Sequence, residues 1–474
     1  MIDAETKNQA LKTLVEIVGE AHVYTQETDA ILNAHDAWPL SEAKIRAGEI
    51  LPKADFVVFP ADEEEIAAVL KLANEMKIPV IPVGGGAGVC GGTLPIYGGI
   101  QLDLKRMNKI LSIDEESMLV TAQAGIIGIE LEREVNRHGY ITGHTPTSMR
   151  ASNLGGFIAT RSGGSMSSKY GKIEDLTLGL KVVLPDGTIT RCKAVPRHSV
   201  GPDLRELFIG SEGTLGIITE ATVRLFPRPE ERRFRSMSFP DVHSGLQAIK
   251  RIFRAGLKPS VVRLYDPEDT AMHISTRFDV PEGDCMLLLA FDGRLEQVEL
   301  DEQVSTEIYL EEGGEDFGVE PSQYWWEHRY DMYYPTKLTT GGYAIGDTID
   351  IVATYDCLED VYHGMKEAME KHGAFVLSHF SHMYENGGSI YMIFFSSQPD
   401  AETAWNTYEK IWDDGVEACL KNGGTMSHQH GVGILRSTYV EDELESGFGV
   451  LKKIKDELDP NGIMNPGKLG LGVR

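Results

Sequence analysis

Three segments gather glycines, hydroxyl side chains and single histidines at a density that a packed core does not need. They are GGGAGVCGG at 84–92, TGHTPTSMRASNLGGFIATRSGGSMSSKYGKIEDLTLGLK at 142–181, and GSEGTLGIIT at 210–219. Glycine-rich backbone presents N–H groups without a side chain in the way, so it can approach a phosphate-bearing group closely. One large, flat ligand gripped at several points explains three such approaches better than three unrelated loops.

The elements around these segments must hold them in place. DFVVFP (55–60) reads as a buried strand, and DEEEIAAVLKLANEMK (62–77) as a helix with Asp62 at its N-cap and Glu65 at the capping-box position. IPVIPV (78–83) is the next strand and runs straight into the first glycine loop. The glycines follow the second strand, and GGGAG is not the GxGxxG that opens a helix, which excludes an ordinary nicotinamide-dinucleotide fold. GIQLDL (99–104), MLVTAQAG (118–125), a helix near 128–138, VVLPDGTIT (182–190) with an Asp-Gly turn and GIITEATVRLFP (216–227) complete an α+β unit. The charged run RPEERRFR (228–235) marks a boundary. Beyond it SVVRLYD (260–266), DCMLLLAFDG (284–293), TIDIVATYD and SIYMIFFS read as strands, with helices that include 295–311. This texture predicts an antiparallel sheet covered by helices.

At 474 residues the chain exceeds one ordinary core, so two substantial domains are expected. Its net charge of −27 argues against nucleic acid and against an anionic membrane surface. No apolar run approaches the ~20 residues of a membrane span, and neither a secretion signal nor a lipidation motif is visible. Five scattered cysteines without CxxC spacing fit a reducing, cytoplasmic location better than disulfides, and argue against an iron–sulfur cluster in this chain.

The motifs VGGGAGVCGG, TGHTPTS, LGGFIATRSGG with YGKIEDL, GPDLRELFIGSEGTLGIITEATV, SHQHGVG and LDPNGIMNPGKL stand in an order that resembles the vanillyl-alcohol oxidase / p-cresol methylhydroxylase flavoproteins. Within that family the chain is similar to alkylglycerone-phosphate synthases and to glycolate and D-lactate dehydrogenase FAD subunits. Residues 1–50 read as a mostly helical, acidic arm and the turn-rich end, 441–474, as a segment returning to the first domain. The resemblance implies, within an α+β architecture, a two-subdomain FAD-binding domain at 51–230 and a cap domain with a helix-covered antiparallel sheet at 231–440. It also implies FAD, with Pro82, Gly84, Gly85, Gly86, Ala87 and Gly88 around the pyrophosphate. Thr145, Pro146, Ser148, Asn153, Gly155, Gly156, Arg161 and Ser162 are expected along the ribityl and pyrophosphate, and Glu212, Gly213 and Ile218 at the adenosine end. The first glycine loop carries Ala87 and Val89 where a tethering histidine would stand, and Cys90 is the only nucleophile nearby, so FAD is expected to be non-covalent.

Two chemistries compete within the family. In its metal-dependent 2-hydroxyacid dehydrogenases, the ligand positions correspond to His382, Ser389 and Gln429, two of which are poor metal ligands. His379 and His382 in SHFSHM remain as a pair, but residues three apart on a regular strand point to opposite faces, and no metal is expected. The ether-forming synthases carry three histidines where this chain has His428, Gln429 and His430. Their acid/base tyrosine corresponds to Tyr391, their flavin-side histidine to His144 and a phosphate-binding arginine to Arg263. A second arginine falls at Thr336, beside Lys337; Arg329 occupies a position common in the dehydrogenases. The set suits oxidation of a small, hydroxylated, anionic substrate. Hydride would pass to the flavin while Tyr391, His428 or His430 takes the hydroxyl proton, histidine being favoured by an ordinary pKa near ~6.5. Electrons would then leave to an acceptor other than nicotinamide, and the likeness allows a homodimer. The alternative is a synthase-like flavin transferase with no net redox change.

Overall fold

The computed structural model describes residues 2–34, 36–331 and 343–472; Thr336 and Lys337 lie outside them. Two small sheets hold the glycine-rich segments. In the first, Phe56–Val58, Ile100–Asp103 and Val80–Val83 run parallel in that order, with Val23–Tyr24 antiparallel at the edge. The second is an antiparallel sheet of five strands, ordered Ile110–Asp114, Leu119–Gln123, Ile217–Arg224, Thr177–Val183 and Ile189–Cys192. The helix Glu63–Met76 packs into the same core through Ile66, Val69 and Leu70. Asp62 caps it by accepting from the Glu65 amide, while the Glu65 carboxylate takes the Ala61 N–H, one residue before the expected capping-box partner.

A seven-stranded, fully antiparallel sheet forms the other half. Its order is Glu315–Gly318, Glu231–Phe239, Cys285–Gly293, Val261–Tyr265, Phe375–Met383, Gly387–Gln398 and Tyr343–Thr354. Alternation splits its residues between two faces. Leu264, Phe380, Ile349, Ile351, Ile390 and Met392 enter one core with the helices Val242–Arg254, Leu358–Glu370 and Ala401–Lys421. The opposite face carries the polar residues treated below. The charged run at 228–235 leads into the strand Glu231–Phe239. Its guanidinium groups find partners on both sides: Arg233 meets Glu299 and Glu302, Arg235 meets Glu302 and Asp316, and Arg232 meets Asp292.

The ends of the chain are stitched into both halves. The helix Ala4–Val18 buries Leu14 and Val18 in the core of the first half, whereas Leu40 and Ala43 join the core beneath the seven-stranded sheet. Met464 bridges Val80, and the Lys468 ammonium donates to the Leu94 carbonyl at 2.8 Å. Among the described residues no helix is long and apolar enough to cross a membrane.

Lys455 anchors this last segment. Its buried ammonium donates to the carbonyls of Thr214 (2.7 Å) and Met464 (2.9 Å) and to Asp459 (2.5 Å). Lys455→Met leaves Asp459 buried without its cation, so a loss of about 3–5 kcal/mol is expected in denaturant unfolding. A variant as stable as the parent would refute this anchor.

Candidate active site

One cavity of about 1000 Å³ lies between the two halves. The glycine-rich segments form one wall: Pro82 and Gly84 to Gly88, Pro146, Ser148, Asn153, Gly155, Gly156, Ser162, Glu212, Gly213 and Ile218 all face it. Close backbone approach explains why several of these are glycine. A Cβ on Gly85 would lie 2.0 Å from the Ala151 carbonyl oxygen. Gly213 has φ +73, and its Cβ would lie 2.8 Å from Pro82. Thr93 Oγ1 and Asn153 Nδ2 in this wall are buried and have no hydrogen-bond partner among the described residues. Such groups suit a ligand that brings its own acceptors and donors.

Not every expected residue joins that wall. The Arg161 side chain leaves it to pair with Glu206 at 2.6 Å. Thr145 is buried behind it, its carbonyl accepting from Ser165. Glu212 faces the cavity, yet its carboxylate is taken by the amides of Val432 and Gly433 at 2.6 and 2.8 Å. It therefore ties the two halves together. His144 is turned away into a small apolar pocket against Phe157, with ring centroids 4.8 Å apart. Burial pushes its pKa down to about 3, so it is neutral and offers no charge to a substrate.

The opposite wall comes from the seven-stranded sheet. In register, Tyr391 lies directly across from His379 on one side and Asp350 on the other. His379 and His382 face the same cavity, contrary to the alternation of a regular strand, because the register shifts between Phe380 and His382. The bulge inserts one extra residue and re-aims the second ring. Arg263 donates from Nη2 to His379 Nε2 (2.8 Å) and from Nε to the Tyr265 hydroxyl (3.1 Å), and packs over the Trp325 ring at 5.0 Å. A guanidinium only donates, so His379 carries its proton on Nδ1, which faces Asp269 Oδ2 at 2.7 Å. Burial and the adjacent Arg263 lower His379 to about 4. Asp269 stays ionised: burial opposes this, but His379 and His273 outweigh it. Among the described residues Arg263 has no carboxylate partner.

The Tyr391 hydroxyl accepts from the Gln429 amide and stands 3.3 Å from His430 Nε2. Burial, then the charge of Asp350, raises its pKa well above the usual phenol value. His428 lies behind the cavity wall, joined through Tyr384 and Ser167 to His382 by contacts of 2.8, 3.2 and 2.8 Å. Asp350 and Arg436 were not foreseen. Oδ2 of Asp350 accepts the successive amides of His428, Gln429 and His430 at 3.1, 2.7 and 3.1 Å, and Oδ1 accepts Arg436 Nη2 at 2.5 Å. The available signal was an acid set between Ile349 and Ile351 in a strand otherwise rich in apolar residues.

Residues 54–193 match the family described as FAD binding domain, and residues 228–469 the family described as FAD linked oxidases, C-terminal domain. The chain belongs to the FAD-linked oxidase family and is an enzyme of that family, with FAD as its cofactor. It is 30% identical to the alkyldihydroxyacetonephosphate synthase of Dictyostelium discoideum, over 90% of this chain and 75% of that one. It is 29% identical to the glycolate oxidase subunit GlcD of Bacillus subtilis, over 99% and 97%. A solved alkyldihydroxyacetonephosphate synthase structure superposes with a TM-score of 0.82 at 26% identity, covering 97% of this chain and 85% of that one. p-Cresol methylhydroxylase shares the fold at a TM-score of 0.78 and 18% identity, covering 99% and 98%.

The buried, neutral His144 sets a pH dependence. Its folded pKa is depressed, so between the ordinary value of 6.5 and about 3 the unfolded chain binds the extra proton. Stability contributed above that window is lost as pH falls through it, by at most about 1.4 kcal/mol per pH unit for one group. His144→Leu is expected to flatten the fall of the urea midpoint between pH 6.5 and 4. An unchanged slope would show that this imidazole titrates normally.

Proposed function

We propose that this protein oxidises a small, hydroxylated, anionic substrate, a 2-hydroxy acid being the representative case, and passes the electrons from FAD to a separate acceptor. The observation that carries this reading is Arg263. It is a cation in the cavity wall, held by neutral partners, two strands from Tyr391 of the Tyr391–His430 pair. A guanidinium so placed favours a carboxylate, which it can grip through two parallel hydrogen bonds. The likeness to a glycolate oxidase subunit supports the same chemistry.

Bound FAD supplies the acceptor for the hydride that leaves the carbon bearing the hydroxyl. Pro82 to Gly88, with Asn153, Gly155 and Gly156, would hold it. Arg263 fixes the substrate carboxylate, and His379, proton on Nδ1, keeps that guanidinium in place. Tyr391 takes the hydroxyl proton as its own proton moves to His430 Nε2. Gln429, donating to the phenol oxygen, steadies the negative charge that builds there.

A second reading, an ether-forming transferase, is favoured by the likeness to alkyldihydroxyacetonephosphate synthases. Against it, Gln429 stands where the resemblance places the middle histidine. Under anaerobic conditions glycolate or D-lactate is expected to bleach the flavin. Arg263→Met should raise the half-saturating concentration roughly 30-fold, for a loss of about 2 kcal/mol. Flavin that ignores every hydroxy acid but forms an adduct with acyl-dihydroxyacetone phosphate makes the chain a transferase.

FAD is proposed to be held without a covalent bond. The Cys90 thiol is buried beside the Gly431 carbonyl, 3.8 Å away, and burial pushes it far from the thiolate. Acid precipitation is therefore expected to leave the flavin in the supernatant; a yellow pellet contradicts this.

A further inference from the structure

Every backbone amide from His428 to His430 points at one carboxylate oxygen, that of Asp350, and the other oxygen of the same group lies 3.2 Å from His430 Nδ1. The carboxylate is fully buried, as is its partner Arg436, whose Nη1 also donates to the Met426 carbonyl at 2.9 Å. Asp350 therefore cannot swing away to solvent, and its charge is fixed under the imidazole. On the far side of the ring, the Tyr391 oxygen already accepts from the Gln429 amide, so its own proton is free for His430 Nε2. The Nδ1–Asp350 contact is a close approach of charge, not an aligned hydrogen bond, and it favours a proton on Nδ1, while the Tyr391 hydroxyl on the other edge favours a bare Nε2.

We propose that Asp350 is a positioning residue that sets the tautomer and orientation of His430, so that Nε2 receives the proton released by Tyr391. This rests on the proton path given under Proposed function and adds the group that makes its direction possible. With the opposite tautomer, Nε2–H would face the phenol and could donate but not accept. Tyr391 would then have no acceptor for its proton, and the substrate hydroxyl no base. The carboxylate itself does not line the cavity.

The test uses the flavin-loaded, full-length protein labelled with 15N-histidine, the His430 signals being identified by their loss in His430→Gln. Protonated Nδ1 and unprotonated Nε2 are expected in the parent protein. Asp350→Asn, which keeps the shape but not the charge, should convert His430 to the other tautomer or a mixture. It should also lower kcat for flavin reduction by roughly 100-fold or more while leaving KM within about threefold, as expected when a histidine loses its orienting carboxylate. Protonated Nε2 in the parent overturns the proposal. So does an Asp350→Asn protein that retains flavin, tautomer and rate. If that variant fails to fold, the tautomer in the parent decides alone. A Tyr391→Phe protein that reduces its flavin at the parent rate would sink the proton path and not the tautomer assignment, so the two failures are distinguishable.

Discussion

The arrangement of the site hangs on a buried carboxylate–guanidinium pair. Asp350 and Arg436 are both sealed from water, and neither could stay charged there alone. Breaking such a pair by removing one partner typically costs about 3–5 kcal/mol. Here the pair does more than neutralise itself, because the spare capacity of Asp350 collects three consecutive amides of the loop. The next part of the loop is claimed by the other half of the molecule. Glu212 takes the amides of Val432 and Gly433, and the Cys90 carbonyl takes those of Ile434 and Leu435. The positive φ of Gly431 and Gly433 lets the chain turn between these anchors. A short stretch thus holds His430 against the sheet with one end and the glycine-rich segments with the other.

Arg263 belongs to a second, parallel construction. Its cation is surrounded by a neutral imidazole, a phenol and an indole face, and the nearest fixed negative charge in the chain of contacts is Asp269, one histidine removed. A carboxylate placed directly on Arg263 would have cancelled the cation. Placed behind His379 instead, Asp269 orients the ring without occupying the guanidinium. The net charge of −27 does not describe this corner, where Arg263 faces the cavity with no carboxylate partner among the described residues.

Much of this was legible in the residues. The glycine segments announced their ligand because their density has no packing purpose, and the strands around Arg263 and Tyr391 stood out as apolar runs. The parts that were not legible share a cause: they depend on register or on contacts far apart in sequence. The bulge that brings His379 and His382 to one face is a one-residue irregularity that no periodic pattern reveals. Asp350 takes its place from the loop 428–430, almost eighty residues away in the chain, which no local pattern reveals. The resemblance placed Glu212 by motif order, but its carboxylate serves the protein's own backbone. His144, adjacent to cavity-facing residues in sequence, turns its ring the other way.

The positions that correspond to metal ligands in the related dehydrogenases have been given other work. His382 is engaged through Nδ1 with Ser167, Gln429 donates its amide to Tyr391, and Ser389 sits opposite His382 with only a hydroxyl to offer. A glutamine that donates to a phenol presents hydrogens toward the site, not the anionic oxygen a divalent ion prefers. The same geometry places a hydrogen-bond donor at the phenol oxygen. In the reaction proposed here, Gln429 would stabilise negative charge on the Tyr391 oxygen and His430 would take its proton. Both depend on the loop that Asp350 holds, so the buried ion pair and the chemistry at Tyr391 stand or fall together.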